Sequence, residues 1–202
     1  EAELHNKQYW EALYKLMSSI DKANTQPLIS VCDIFNKARK PIAATKRIKG
    51  NTPYYGANGI VDYVDGFTHD GHYVSLAEDG APSLQPYSIL RISGKFWANN
   101  HIHLIKPKEG VMDFNFLYHY LRSLDFTPLV NNPLSRSKLT TSSLKLIPIP
   151  VIPLEEQKRI AHILDTMLEL KEAVEREVEL RRKQFEYYKY WLLNPDGKLE
   201  TM

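Results

Sequence analysis

The amino-acid sequence predicts an α+β protein in which a mixed globular domain, residues 26–150, is followed by a long coiled-coil-forming helix, residues 151–195. A shorter N-terminal helix, residues 1–25, precedes the domain, and residues 196–202 form a tail. Three observations carry this expectation. Apolar side chains toward the C-terminus recur at alternating spacings of three and four, short strand-like runs occupy the middle, and one helical phrase occurs at both ends.

At the N-terminus, Leu13, Leu16 and Ile20 share one face of a helix that runs from Glu1 to about Ile20. The middle of the chain reads as strands at His72–Ala77, Tyr87–Ile92 and Phe96–Ile105, separated by Gly71, Gly80, Pro82, Pro86 and Gly94. Asp113 is a plausible N-cap for a helix that places Phe116, Leu117, Tyr120, Leu121 and Leu124 on one side. Residues 127–143 are polar and loop-rich. Pro150 and Pro153 hold the backbone extended before the last helix, and Glu155 and Glu156 suit the positive end of its dipole. Ile160, Leu164, Met167, Val174, Val178, Phe185, Tyr188 and Leu192 form the seam, interrupted by Lys171 and Arg181. Asn194-Pro195-Asp196-Gly197 ends it. A helix of about 40 residues is a rod on the order of 60 Å long, too long to bury its seam on the small domain beside it. It therefore reads as a pairing element. Its distal phrase Glu177-Val178-Glu179-Leu180-Arg181-Arg182-Lys183-Gln184-Phe185 lines up with Glu1-Ala2-Glu3-Leu4-His5-Asn6-Lys7-Gln8-Tyr9, so one helical module recurs on both sides of the domain.

Lys and Arg number 26 against 24 Asp and Glu, a net charge of +2, so no global field marks a nucleic-acid binder and local clustering must be inspected. Lys37, Arg39, Lys40, Lys46, Arg47 and Lys49 fall in one stretch without an acid, and Tyr54, Tyr55 and Asn58 follow. Clustered cations suit phosphates, while Tyr, Asn and Gly-bearing loops suit close approach to base edges. Arg136 and Lys138 form a second basic loop. The single cysteine, Cys32, excludes an internal disulfide framework and reads as a small buried thiol in an apolar run. No apolar run approaches membrane-spanning length, and the expected compartment is reducing cytoplasm.

Catalytic patterns are weak. Glu78-Asp79-Gly80-Ala81 lacks the lysine of a two-carboxylate nuclease, and Asn131-Asn132-Pro133-Leu134 lacks an aromatic after its proline. His101 and His103 share a strand face, where satisfied histidines outweigh metal ligands. No catalytic residue and no metal ligand is assigned. A coiled-coil adaptor that binds protein is the main alternative, and an enzyme site around Glu78, Asp79, His101 and His103 is a minor one.

Leu146-Ile147-Pro148-Ile149-Pro150-Val151-Ile152-Pro153-Leu154-Glu155-Glu156-Gln157-Lys158-Arg159-Ile160-Ala161 resembles the junction between target-recognition domain and conserved helix in specificity subunits of type I restriction–modification systems. Thr52 to Ile60, Asp79-Gly80-Ala81, Gly94 to His101 and Arg182 to Tyr188 resemble further phrases of that family, in its order. The resemblance implies a non-catalytic, sequence-specific reader of double-stranded DNA with a bipartite target. It also implies methyltransferase and restriction subunits as partners, which would use S-adenosylmethionine, ATP and magnesium. A typical member carries two recognition domains and two antiparallel helices. With one domain and one full helix, this chain is expected to be half of a longer subunit or a half-length form that dimerises.

Overall fold

The structure, a computed structural model, describes residues 1–21, 23–132, 134 and 137–193. Helix α1 (Ala2–Ser18) leads into β1 (Thr25–Pro27), the one-turn α2 (Leu28–Val31) and β2 (Cys32–Ile34). Then come β3 (Lys49–Gly56), β4 (Gly59–Val64), β5 (His69–Ala77), β6 (Ile89–Ala98) and β7 (Ile102–Pro107). Helices α3 (Phe114–Ser123) and α4 (Thr141–Lys145), strand β8 (Pro148–Pro150) and helix α5 (Leu154–Leu193) complete the chain. The architecture is α+β, as the sequence predicts. No helix among the described residues is long and apolar enough to cross a membrane.

Six strands form one sheet in the order β2-β7-β5-β6-β3-β4, antiparallel except where β3 runs parallel to β6 at Tyr54–Trp97. β1 and β8 pair separately, Thr25 opposite Pro150, and form a two-stranded neck where the chain enters and leaves the domain. Side chains alternate across β5, so its neighbours Tyr73 and Val74 enter different cores. Val74, Leu76, Ile89 and Ile105 face the helices; Tyr73, Ile92, Phe96 and Leu104 form a smaller core on the other face.

Two strand expectations change. Phe96–Ile105 is a hairpin rather than one strand: β6 ends at Ala98, and Asn99 Oδ1 accepts the His101 amide at 2.7 Å in the turn before β7. The basic stretch and its Tyr-rich sequel are not all loop, because Lys49–Gly56 and Gly59–Val64 pair as a bulged hairpin. Pro53 and three glycines conceal that pairing from propensity. The Asp113 cap holds, its carboxylate accepting from the amides of Asn115 and Phe116. Cys32 is fully buried, and burial, then the Asp33 charge, pushes its thiol up to about 12. The predicted helix terminator at residues 194–197 lies outside the described residues.

The three predicted units share one core. Tyr9, Leu13 and Met17 of α1 and Ile160, Leu164 and Leu168 of α5 belong to the same buried cluster as Phe116, Leu117 and Leu121 of α3. Buried Gln157 sets the start of α5: its Oε1 accepts the Asp113 amide at 2.7 Å, and its Nε2 donates to the carbonyls of Val111 and Ile152. A second lock spans four elements. Asp165 of α5 can only accept, so His119 of α3 donates through Nε2 at 2.9 Å and leaves Nδ1 to accept from the Tyr9 hydroxyl of α1. Arg91 of β6 completes it as an ion pair with Asp165. Burial opposes ionisation of Asp165, but the hydrogen bonds from His119 and Arg91 outweigh it and hold the carboxyl below its ordinary range.

Candidate nucleic-acid interface

The basic stretch runs past the β6–β7 turn, where Arg39 donates to the Asn100 carbonyl, and is tied down by backbone. Phe35 donates its amide to Leu104, Lys40 donates to Ala98, and the Trp97 indole donates to the Lys40 carbonyl at 2.7 Å. Ile42 donates to the Tyr54 hydroxyl. These ties divide the predicted contact residues into two sets. Lys37, Lys40, Lys46 and Lys49 are exposed, and none is ion-paired among the described residues. Arg39 and Arg47 are different. Arg39 ion-pairs with Glu78 at 2.7 Å and donates to the carbonyls of Asn36, Asn100 and Ile102. Arg47 ion-pairs with Asp62 at 3.1 Å, stacks 4.5 Å over Tyr54 and donates to the Ile42 carbonyl. Both arginines brace the fold.

The predicted loop contacts divide in the same way. Tyr54 is 1% exposed and belongs to the interior, a correction to its reading as a base-edge residue. Period-two alternation in β3 turns it inward beneath Arg47. Tyr55 is half-buried against Phe96, and burial raises its phenol. Asn58 sits exposed at the β3–β4 turn and donates to the Gly80 carbonyl at 2.9 Å. Lys138 bridges to Glu78 at 3.1 Å with half its side chain exposed. Arg136 lies outside the described residues.

The residues of the minor enzyme alternative do converge, but they are occupied. Glu78 receives Arg39 and Lys138; burial alone would raise its carboxyl, and these hydrogen bonds hold it below the usual range. His101 donates to Asp79 at 2.6 Å. Buried His103 donates through Nε2 to the Leu139 carbonyl and accepts from the Asn36 side-chain amide, a satisfied core histidine. Among the described residues no three His, Cys, Asp or Glu side chains are placed to share a metal ion.

Acid sensitivity follows from these groups. Burial lowers His103 and His119, against partial opposition from the Leu139 carbonyl and from Asp165 respectively. An unfolded chain protonates both near about 6.5. Between that value and the depressed folded values the unfolded state binds more protons, so stability falls as pH drops through the window. Glu78 and Asp165, held low in the fold, extend the loss through the carboxylate range. Urea midpoints should be level between about pH 7 and 8 and fall steadily below about 6.5; a flat profile to pH 5 would contradict the assignment.

The seam of α5 also divides. Ile160 and Leu164, expected to pair with another helix or a second copy, are buried in the chain's own core, and Met167 and Val174 are half-buried. The cause is α1, which lies antiparallel along the proximal part of α5. Arg181 is raised by its bond to Glu177 and further by Glu1, which places the start of α1 beside the middle of α5. Val178, one turn before that point, is 44% exposed, and Phe185, Tyr188 and Leu192 beyond it are 64%, 55% and 81% exposed. Phe185, Tyr188 and Leu192 line one shallow apolar groove.

A sheet domain held at a two-stranded neck, packed against an antiparallel helix pair and carrying a stretch of exposed lysines, has the form of a type I specificity subunit. Two solved structures have this fold. The HsdS subunit of Thermoanaerobacter tengcongensis superposes with a TM-score of 0.61 at 20% identity, covering 87% of this chain and 46% of that one. The type I restriction–modification S subunit of M. genitalium does so with a TM-score of 0.63 at 18% identity, covering 91% and 53%. Residues 21–180 match the type I restriction modification DNA specificity domain, and the chain belongs to that family. A putative type I restriction enzyme specificity subunit of Haemophilus influenzae is 48% identical over 179 residues, 85% of this chain and 46% of that protein. A putative type I specificity subunit of Mycoplasma pneumoniae is 30% identical over 175 residues, 85% and 47%. The chain thus spans about half the length of these curated relatives.

The sequence missed the residues that lock helices to domain: Tyr9, Arg91, His119 and Asp165 lie far apart in the chain, and no spacing connects them. Gln157 had a signal, since it stands in the phrase on which the resemblance rests.

Proposed function

We propose that the chain is a non-catalytic DNA-recognition module that supplies one half of a bipartite target. The observation that carries this reading is the division of its surface. Four exposed lysines, none ion-paired among the described residues, stand along one stretch of the sheet domain, and an uncovered apolar stripe continues along distal α5. The first suits phosphates; the second suits another helix. A second copy of the chain, or a second half of the same subunit, covers Val178, Phe185, Tyr188 and Leu192 and brings a second domain to the DNA. Methyltransferase and restriction subunits dock on this scaffold and supply S-adenosylmethionine-, ATP- and magnesium-dependent chemistry.

Methylome sequencing tests the reading. In a host that carries the partner methyltransferase, the chain should direct modification to one split sequence, symmetric if two copies pair. Absence of any chain-dependent methylated site would sink it. Light scattering addresses pairing separately: replacing Val178 and Leu192 by Asp should convert a dimer to monomers, and an unchanged mass would reject distal α5 as the seam.

A further inference from the structure

A cleft of about 320 Å³ opens beside the basic stretch, walled by Phe35, Lys37, Thr68, His69, Asp70 and Tyr73. Its lining is aromatic and dense. His69 stacks on Phe96 with ring centres 5.3 Å apart, and Tyr73 meets Phe35, His69 and Phe96 edge-on. Phe35 nevertheless remains 37% exposed. His69 offers the cleft neither charge nor a free donor. Its Nε2 donates to the Phe35 carbonyl, its Nδ1 accepts from the Thr68 hydroxyl, and burial lowers its basicity.

Against this aromatic surface stand two cations. Lys37 lines the cleft, and Lys106 Nζ lies 4.2 Å over the Tyr73 ring and 5.3 Å over Phe35. Asp33 is the cross-strand neighbour of Lys106, yet neither lysine is ion-paired among the described residues. Gly71 makes room for the ammonium. Its φ is +124°, and a Cβ there would lie 3.1 Å from Lys106 Nζ. Nearby, Lys95 sits 4.9 Å over the half-exposed Phe67 ring, which adds a second cation–aromatic pair next to Thr68. Asp70 supplies one carboxylate acceptor on the wall.

An exposed aromatic, two uncompensated cations and one acceptor describe a receptor for a single nucleotide: base on ring, phosphate on ammonium, exocyclic amine to carboxylate. A base held in a stacked duplex cannot enter such a cleft. We propose that the Phe35 cleft holds one unstacked nucleotide of the bound DNA, its base against Phe35 and its phosphate between Lys37 and Lys106. The assignment rests on the DNA-reading function and gives that reading a specific receptor.

The test compares a fully paired duplex with the same duplex carrying one bulged, already unstacked nucleotide, using fluorescence anisotropy on the full chain. The bulged probe should bind about tenfold more tightly, the scale of one base–aromatic stack. Phe35→Leu keeps apolar packing on Tyr73 but removes the stacking face. It should abolish that preference, weakening the bulged probe more than the paired duplex, which can still bind with its base left in the stack. Lys106→Gln should reduce the salt slope for the bulged probe by about one, a readout that survives if Phe35→Leu perturbs folding. Equal affinity for the two duplexes in the unaltered chain overturns the cleft and leaves DNA reading intact. Failure to bind either duplex overturns DNA reading itself. Deoxyadenosine monophosphate alone distinguishes the source: no displacement at millimolar concentration supports a DNA-borne nucleotide, and saturable micromolar binding overturns it.

Discussion

Replacing Lys37, Lys40, Lys46 and Lys49 together by Gln should lower affinity for duplex DNA by on the order of a hundred- to a thousandfold at about 0.15 M salt. The slope of log affinity against log salt should flatten by about 3 to 4, close to one for each phosphate that a lysine no longer neutralises. The size of the effect follows from where these charges sit. Each is exposed and lacks a carboxylate partner among the described residues, so each is available to displace a counterion. The same exposure makes the substitutions nearly neutral for folding. Arg39→Gln and Arg47→Gln should behave in the opposite way. They leave Glu78 with Lys138 alone and remove the Arg47 contacts to Asp62, Tyr54 and the Ile42 carbonyl, lower the thermal midpoint, and change the salt slope little. Anisotropy titrations across a salt series separate the two classes. A slope unchanged in the four-lysine variant would place the DNA surface elsewhere.

Asp165→Ala should destabilise the chain by about 3 kcal/mol, because it leaves buried His119 without its acceptor and Arg91 without its counter-charge. For a chain of this size that corresponds to a fall of roughly 6–12 °C in the melting midpoint. The effect exceeds that of a typical helix ion pair because the Asp165 side chain is only 17% exposed and His119 is fully enclosed. Asp165→Asn can still accept from both partners and should lose less. Glu177→Ala, on an exposed part of the same helix, should change the midpoint little, as expected of a solvent-screened pair. Equal melting curves for Asp165→Ala and the unaltered chain would show that α5 is held to the domain by apolar packing alone.

The helices were the most legible elements. Asp113 before an apolar face, and prolines followed by glutamates before α5, are local signals, and both mark real helix starts. The sheet was half legible. Val74 and Leu76 alternate visibly, whereas the β3–β4 hairpin is disguised by Pro53, Gly50 and a bulge. Charge position was legible and charge role was not. Lys37 and Arg39 are two residues apart and look alike in sequence, yet only a strand hairpin away in space does Glu78 claim the arginine. For α5 the periodicity picked out Ile160 and Leu164 but took Met167 where Leu168 is the buried residue, and a period does not say which partner fills it. α1 takes the first turns and leaves the last.

Because β1 and β8 run side by side, the chain crosses from helices to sheet domain and back through a single narrow gate. A different domain could be spliced in at that gate without moving either helix axis. It would still have to arrive with its own match for Tyr9 and Asp165, as His119 does here, and with backbone groups that satisfy Gln157. On the proposed function, exchange of DNA preference between such chains is geometrically simple but chemically licensed, the licence being a handful of buried polar atoms at the helix–domain joint.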